Sequence, residues 1–196
     1  IFSCSNNHES KKLQNHQRID LGEIESDEIL EASGIASSRF NQNILWTHND
    51  SGDLNRIFAM DINGNHVGEF FLNNVENRDW EDIAIGPGPM EDVDYIFVGD
   101  IGDNRSENDV KYIYRFAEPQ VYTNNQSLDI NIDNIDQISY QYEDGNRDAE
   151  TLIVDPITKD IIIISKREES AVHVYLLPFP HDTENILTAQ LIMTKD

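Results

Sequence analysis

Arg78-Asp79-Trp80-Glu81-Asp82-Ile83-Ala84 and Arg147-Asp148-Ala149-Glu150-Thr151-Leu152-Ile153 are two copies of one phrase. A third, partial copy stands at Ala32-Ser33-Gly34-Ile35-Ala36, with Ser33 where the others carry Glu. Each copy opens the same succession of patterned segments, so the chain is built from repeats whose acidic residues recur at equivalent places.

Outward from the phrase, short segments of strand character alternate with turn residues. The first unit has 34–37, 44–48, 56–61 and 66–72, the last two joined by the Asn-Gly turn of Asp61-Ile62-Asn63-Gly64-Asn65. The second has 81–85, 95–99, 111–117 and 137–142; the third has 150–154, 160–166, 171–177 and 186–194. No helical period of useful length interrupts them. Four strands in each of three units predicts an all-β chain of four-stranded antiparallel β-propeller blades, at 31–75, 76–145 and 146–196. Ser33 and Glu81 are 48 positions apart (81 − 33), whereas Glu81 and Glu150 are 69 apart (150 − 81). The Asn- and Asp-rich stretch 118–135 accounts for the excess and reads as a long loop. Within 17–30, the segment 19–24 reads as a strand that completes the last blade and fastens the ring. Rings close with about 4 to 8 blades, so the expectation is an N-terminal fragment of a longer ring of about six.

Charge narrows the partners. Asp and Glu total 37 against 14 Lys and Arg, a formal net charge of −23. Such a surface repels phosphate backbones and argues against nucleic acid, while its carboxylates suit hard cations such as calcium. Most of these acids serve solubility; the acids at repeated positions carry the functional expectation. The chain opens Ile1-Phe2-Ser3-Cys4-Ser5, followed by a polar stretch. A lone Cys after two apolar residues and a small one resembles the end of a bacterial lipoprotein signal, with 1–16 as leader and tether and Cys4 as the lipidated residue. The alternative is an incidental thiol in a disordered leader. On the first view the protein is extracytoplasmic, lipid-anchored or secreted, meets a membrane only through Cys4, and acts as a monomer.

In an antiparallel meander, the connection entering the innermost strand and the one between the second and third strands lie at the same end. Those connections contain 77–79, 47–53, 99–105, 146–148 and 165–168, so charged and amide groups gather at one mouth of the channel. Glu81, Glu150, Asp100, Asp103, Asn49 and Asp50 are the candidate calcium ligands there, as oxygen donors of the kind calcium takes in sixes to eights. The competing role for each is structural: accepting backbone N–H groups, or pairing with Arg78 or Arg147. His48, beside Asn49 and Asp50, is the candidate general base, against the plainer role of a hydrogen-bonded turn residue. Lys166, Arg167 and Arg105 are candidates to hold an anionic substrate group. Trp46 and Trp80 read as packing between blades. The sequence contains no Gly-x-Ser-x-Gly elbow.

Ser33-Gly34-Ile35-Ala36, Leu45-Trp46-Thr47-His48-Asn49-Asp50-Ser51-Gly52, Asp79-Trp80-Glu81-Asp82-Ile83-Ala84, Val98-Gly99-Asp100-Ile101-Gly102-Asp103-Asn104 and Arg147-Asp148-Ala149-Glu150 together resemble a family of secreted or lipid-anchored bacterial β-propeller proteins over about 30–180. More distantly, the chain is similar to calcium-dependent propeller esterases, lactonases and phytase-like proteins. The distant likeness implies a central calcium ion and hydrolysis, without a residue-by-residue catalytic match. Two functions are therefore expected to compete. One is a calcium-binding module for a cell-surface or small-molecule ligand; the other is a calcium-dependent hydrolase of an ester, lactone or phosphoester.

Overall fold

The computed structural model describes residues 21–122, 128–166 and 171–195. Cys4 and Arg167 lie outside them, as do Ile19 and Asp20 of the expected first strand. The described residues form thirteen strands and no helix. Strands β1 (Ala32–Ser37), β2 (Ile44–Asn49), β3 (Arg56–Asp61) and β4 (His66–Leu72) make an antiparallel meander. β5 (Trp80–Pro87), β6 (Asp94–Asp100), β7 (Lys111–Ala117) and β9 (Asp136–Tyr142) make a second, with β8 (Leu128–Ile132) inserted before its last strand. β10 (Asp148–Val154), β11 (Ile161–Lys166), β12 (Val172–Leu177) and β13 (Leu187–Lys195) make a third.

Three features depart from the sequence expectation. The stretch 21–26 is not a strand; it is held to the β3–β4 turn instead, with Glu25 N donating to Gly64 O at 2.9 Å and His66 N donating to Glu25 Oε2 at 2.8 Å. The expected loop 118–135 contains β8, which pairs parallel to β4 and widens the first meander to a five-stranded sheet. The second and third meanders are not separate sheets. Leu187, Thr188 and Ala189 of β13 pair in parallel with Tyr140, Gln141 and Tyr142 of β9, giving one eight-stranded sheet in the order β10-β11-β12-β13-β9-β7-β6-β5. Its two end strands, β5 and β10, lie against each other, so the sheet is nearly closed and barrel-like.

Alternation along the strands builds two cores. On β6, Ile96 and Val98 face the first meander while Tyr95 and Phe97 face the third, and all four are buried. This doubly buried strand therefore reads as an unbroken apolar run, as strands covered on both faces do. The core between the first and second meanders is led by Trp46, Phe70, Trp80 and Phe116. Tyr140, Tyr175, Ile161 and Ile163 lead the core between the second and third. Trp46 and Trp80 are both completely buried, as the packing expectation required. At this scale of burial each contributes about 2–3 kcal/mol.

Candidate functional site

The repeated phrase falls at the start of β5 and β10, and the two copies fold alike. Pairing of β5 with β6 runs Trp80 to Asp100 and then Asp82 to Gly99, leaving Glu81 as the extra residue of a β-bulge. Pairing of β10 with β11 runs Ala149 to Ser165 and then Thr151 to Ile164, leaving Glu150 in the same position. The partial copy has its irregularity between Ala32 and Ile35 of β1, around Ser33 and Gly34. A bulge re-aims a side chain that strict alternation would send elsewhere. Here it turns the acid of each full copy toward the neighbouring repeat.

Two carboxylate triads result, and they share Glu81. In Asp50, Asp79 and Glu81, one oxygen from each lies within 4.8 Å of the others, and the same holds for Glu81, Asp148 and Glu150. Glu81 is only 6% exposed and Asp148 4%. Gly102 makes the close approach possible. A Cβ at that position would stand 2.5 Å from Glu81 Oε1 and closer still to Asp79 Oδ2. Backbone N–H groups fix the surroundings: Gly102 N donates to Asp79 O at 3.1 Å, and Asp103 N to Asp148 Oδ1 at 2.8 Å. Ser33 Oγ, at the partial copy, donates to Glu81 O at 2.8 Å and ties β1 to β5.

Crowding of like charge appears in the acidities. Burial, reinforced by Glu150, Asp50, Asp79 and Asp148, pushes the Glu81 carboxyl up to about 8. Burial and then Asp50 and Asp148 raise Asp79 as well. None of the described ion pairs involves Glu81, whereas Lys166 Nζ contacts Glu150 Oε1 and offsets part of the charge at that edge.

The other candidate ligands have different partners. Asp100 is fully buried, accepts from Asp79 N at 2.9 Å and lies 3.5 Å from Arg78 Nε; burial pushes it up to about 6 against that guanidinium. Asp103 accepts from Glu107 N, Asn108 N and the buried Lys111 Nζ at 2.5 Å. For Asp103 the penalty of burial is outweighed by Lys111 and the two amides, which hold it below the usual carboxylate range. Asn49 donates to Glu28 O and Asp53 Oδ2 and accepts from Glu31 N, fastening the stretch before β1. Of the six candidate ligands, the triads therefore contain Glu81, Glu150 and Asp50, and they add Asp79 and Asp148. The signal for the added pair was in the sequence, as the Asp two residues before each repeated Glu.

His48 is not in a turn. It belongs to β2, is fully buried, and stands edge-on to Trp80 with ring centroids 5.9 Å apart. Its Nδ1 lies 2.7 Å from Asn49 O, and its Nε2 points toward the Asp82 backbone without completing a well-formed hydrogen bond. Burial lowers its pKa against the pull of the Asn49 carbonyl. Arg105 is exposed, on a groove also lined by Ser51, Arg78, Asp79 and Asn104.

Compared with protein-family models and with curated proteins, the chain matches none.

Proposed function

We propose that the protein is an extracytoplasmic, calcium-binding β-propeller module that serves as a binding or scaffold element. Support for blades comes from the three four-stranded meanders, each led by its repeat phrase, with β1 and β10 both lying against β5. Support for the cation comes from one observation above all: Glu81, nearly buried, is common to both carboxylate triads and is packed on Gly102. Each triad is an all-oxygen donor set of the kind that hard cations take, and calcium accepts 6 to 8 such ligands in flexible geometry. Their mutual repulsion is relieved when a divalent ion sits among them. An ion at Asp50, Asp79 and Glu81 would join the loop after β2 to the start of β5, and one at Glu81, Asp148 and Glu150 would join the starts of β5 and β10. Hydrolysis draws less support, because the candidate base His48 is wholly buried and held against the Asn49 carbonyl.

The test is calcium added to chelator-treated protein. At about 100 times Kd, one bound ion stabilises by about 2.7 kcal/mol, or roughly 5–10 °C in Tm for a chain of this size. Glu81→Gln should remove most of that shift. A wild-type Tm indifferent to calcium, or a full shift retained in Glu81→Gln/Glu150→Gln, would overturn cation binding at this site.

A further inference from the structure

The loop between β6 and β7 carries a guanidinium with nothing to hold among the described residues. Five other arginines are described, and each has a carboxylate: Arg39 with Asp94, Arg56 with Asp53, Arg78 with Asp100, Arg115 with Asp136 and Arg147 with Asp144. Arg105 takes part in no described hydrogen bond or ion pair, in a chain where acids outnumber Lys and Arg by 37 to 14. Its loop is nevertheless well fixed. Asp103 gathers Glu107 N, Asn108 N and Lys111 Nζ, Ser106 N donates to Asp103 O at 2.8 Å, and Asn146 Nδ2 reaches Ser106 O at 3.2 Å. A rigid loop presents its side chain at low entropic cost, which favours binding.

The groove that Arg105 lines shares a wall with the carboxylate centre, since Asp79 belongs to both. Ser51 and Asn104 add a hydroxyl and an amide to its lining. A guanidinium is matched to the paired oxygens of phosphate or carboxylate. An anion alone would be repelled by the nearby acids, but an anion bound to a divalent ion would not.

Building on cation binding at Asp50, Asp79 and Glu81, we infer that the groove takes a small oxyanion ligand, a phosphate ester or a carboxylate. Its charged oxygens bridge the bound cation and Arg105. No bond is made or broken in this step. Ligand capture thus depends on metal, and the arginine supplies the anion's second anchor.

The experiment titrates phenyl phosphate and benzoate, which share a ring and differ in the anion, into calcium-loaded and chelator-treated protein by calorimetry. At least one anion should bind the calcium-loaded form, with no detectable heat from the chelated form; the one that binds identifies the oxyanion. Arg105→Ala should weaken that binding at least about tenfold, the loss of a charge-assisted contact, with Arg105→Lys intermediate and the Tm of both checking the fold. Neither anion binding to protein that does bind calcium would overturn the groove and leave the cation centre standing. Failure of calcium itself to bind would remove both. Equal binding with and without calcium, or undiminished binding in Arg105→Ala, would likewise overturn the bridge.

Discussion

Leu152 in β10 donates its backbone N–H to Asp82 Oδ2 in β5 at 2.8 Å, joining the leading strands of two repeats through a side chain. The same carboxylate accepts Ile83 N at 2.9 Å. It substitutes for the ladder bonds that two strands packed edge to edge do not otherwise exchange.

Asp82→Ala should therefore cost about 1–3 kcal/mol, since it leaves two partly buried N–H groups without an acceptor. Urea denaturation should show a lower midpoint with an unchanged slope. A midpoint equal to wild type would mean that the two strands are held by packing alone.

Glu118, just after β7, reaches across to the first meander. Its carboxylate accepts from Trp46 Nε1 at 2.9 Å, Arg39 N at 3.2 Å, Phe40 N at 3.1 Å and Ser38 Oγ. Glu118→Ala strands the indole N–H of a completely buried Trp and should cost about 2–3 kcal/mol, lowering Tm by roughly 5–10 °C. The Trp emission spectrum should shift as well.

Gly102→Ala addresses the carboxylate centre without removing a ligand. The added methyl would force Asp79 and Glu81 apart, so calcium affinity should fall about tenfold, in line with the usual cost of overpacking. Calorimetry measures this directly, and Tm in chelator separates it from a general loss of fold.

Stability of the metal-free protein should fall as pH rises from about 7 toward the folded pKa of Glu81. The Glu81 carboxyl sits at about 8 in the fold, above its ordinary value of 4.5. Between these values the folded chain holds a proton that the unfolded chain has released, so raising pH favours unfolding. Asp79 and Asp100 act in the same direction. His48 and His181, whose pKa values burial lowers from 6.5, act the other way below that value. Thermal melts in chelator from pH 7 to 8.5 should therefore show the decline, and Glu81→Gln should flatten it. Calcium must displace the Glu81 proton, so its affinity should rise over the same range, with proton release visible as buffer-dependent heat.

Alternation of apolar residues and the repeated phrase were enough to place twelve of the strands from sequence. β8 escaped because Asp129, Asn131 and the surrounding amides look like a loop, and its partner β4 lies far away in the chain. Local pattern cannot reveal a parallel pairing between distant segments, and the β9–β13 seam was hidden for the same reason. At the centre, the repeated Glu was visible, and so was the Asp two places before it. What separates Asp103 from Asp148 is Lys111, which arrives from β7 and neutralises one of them. His48 looked like a turn residue beside Asn49 and Asp50, yet β2 runs through to Asn49 and carries its ring inward.

Phe97 and Val98 are consecutive in the chain and belong to different cores, so β6 is a party wall. Removing the wall exposes both rooms. Loss of the middle repeat would therefore open both cores at once, although they belong to segments far apart in the chain.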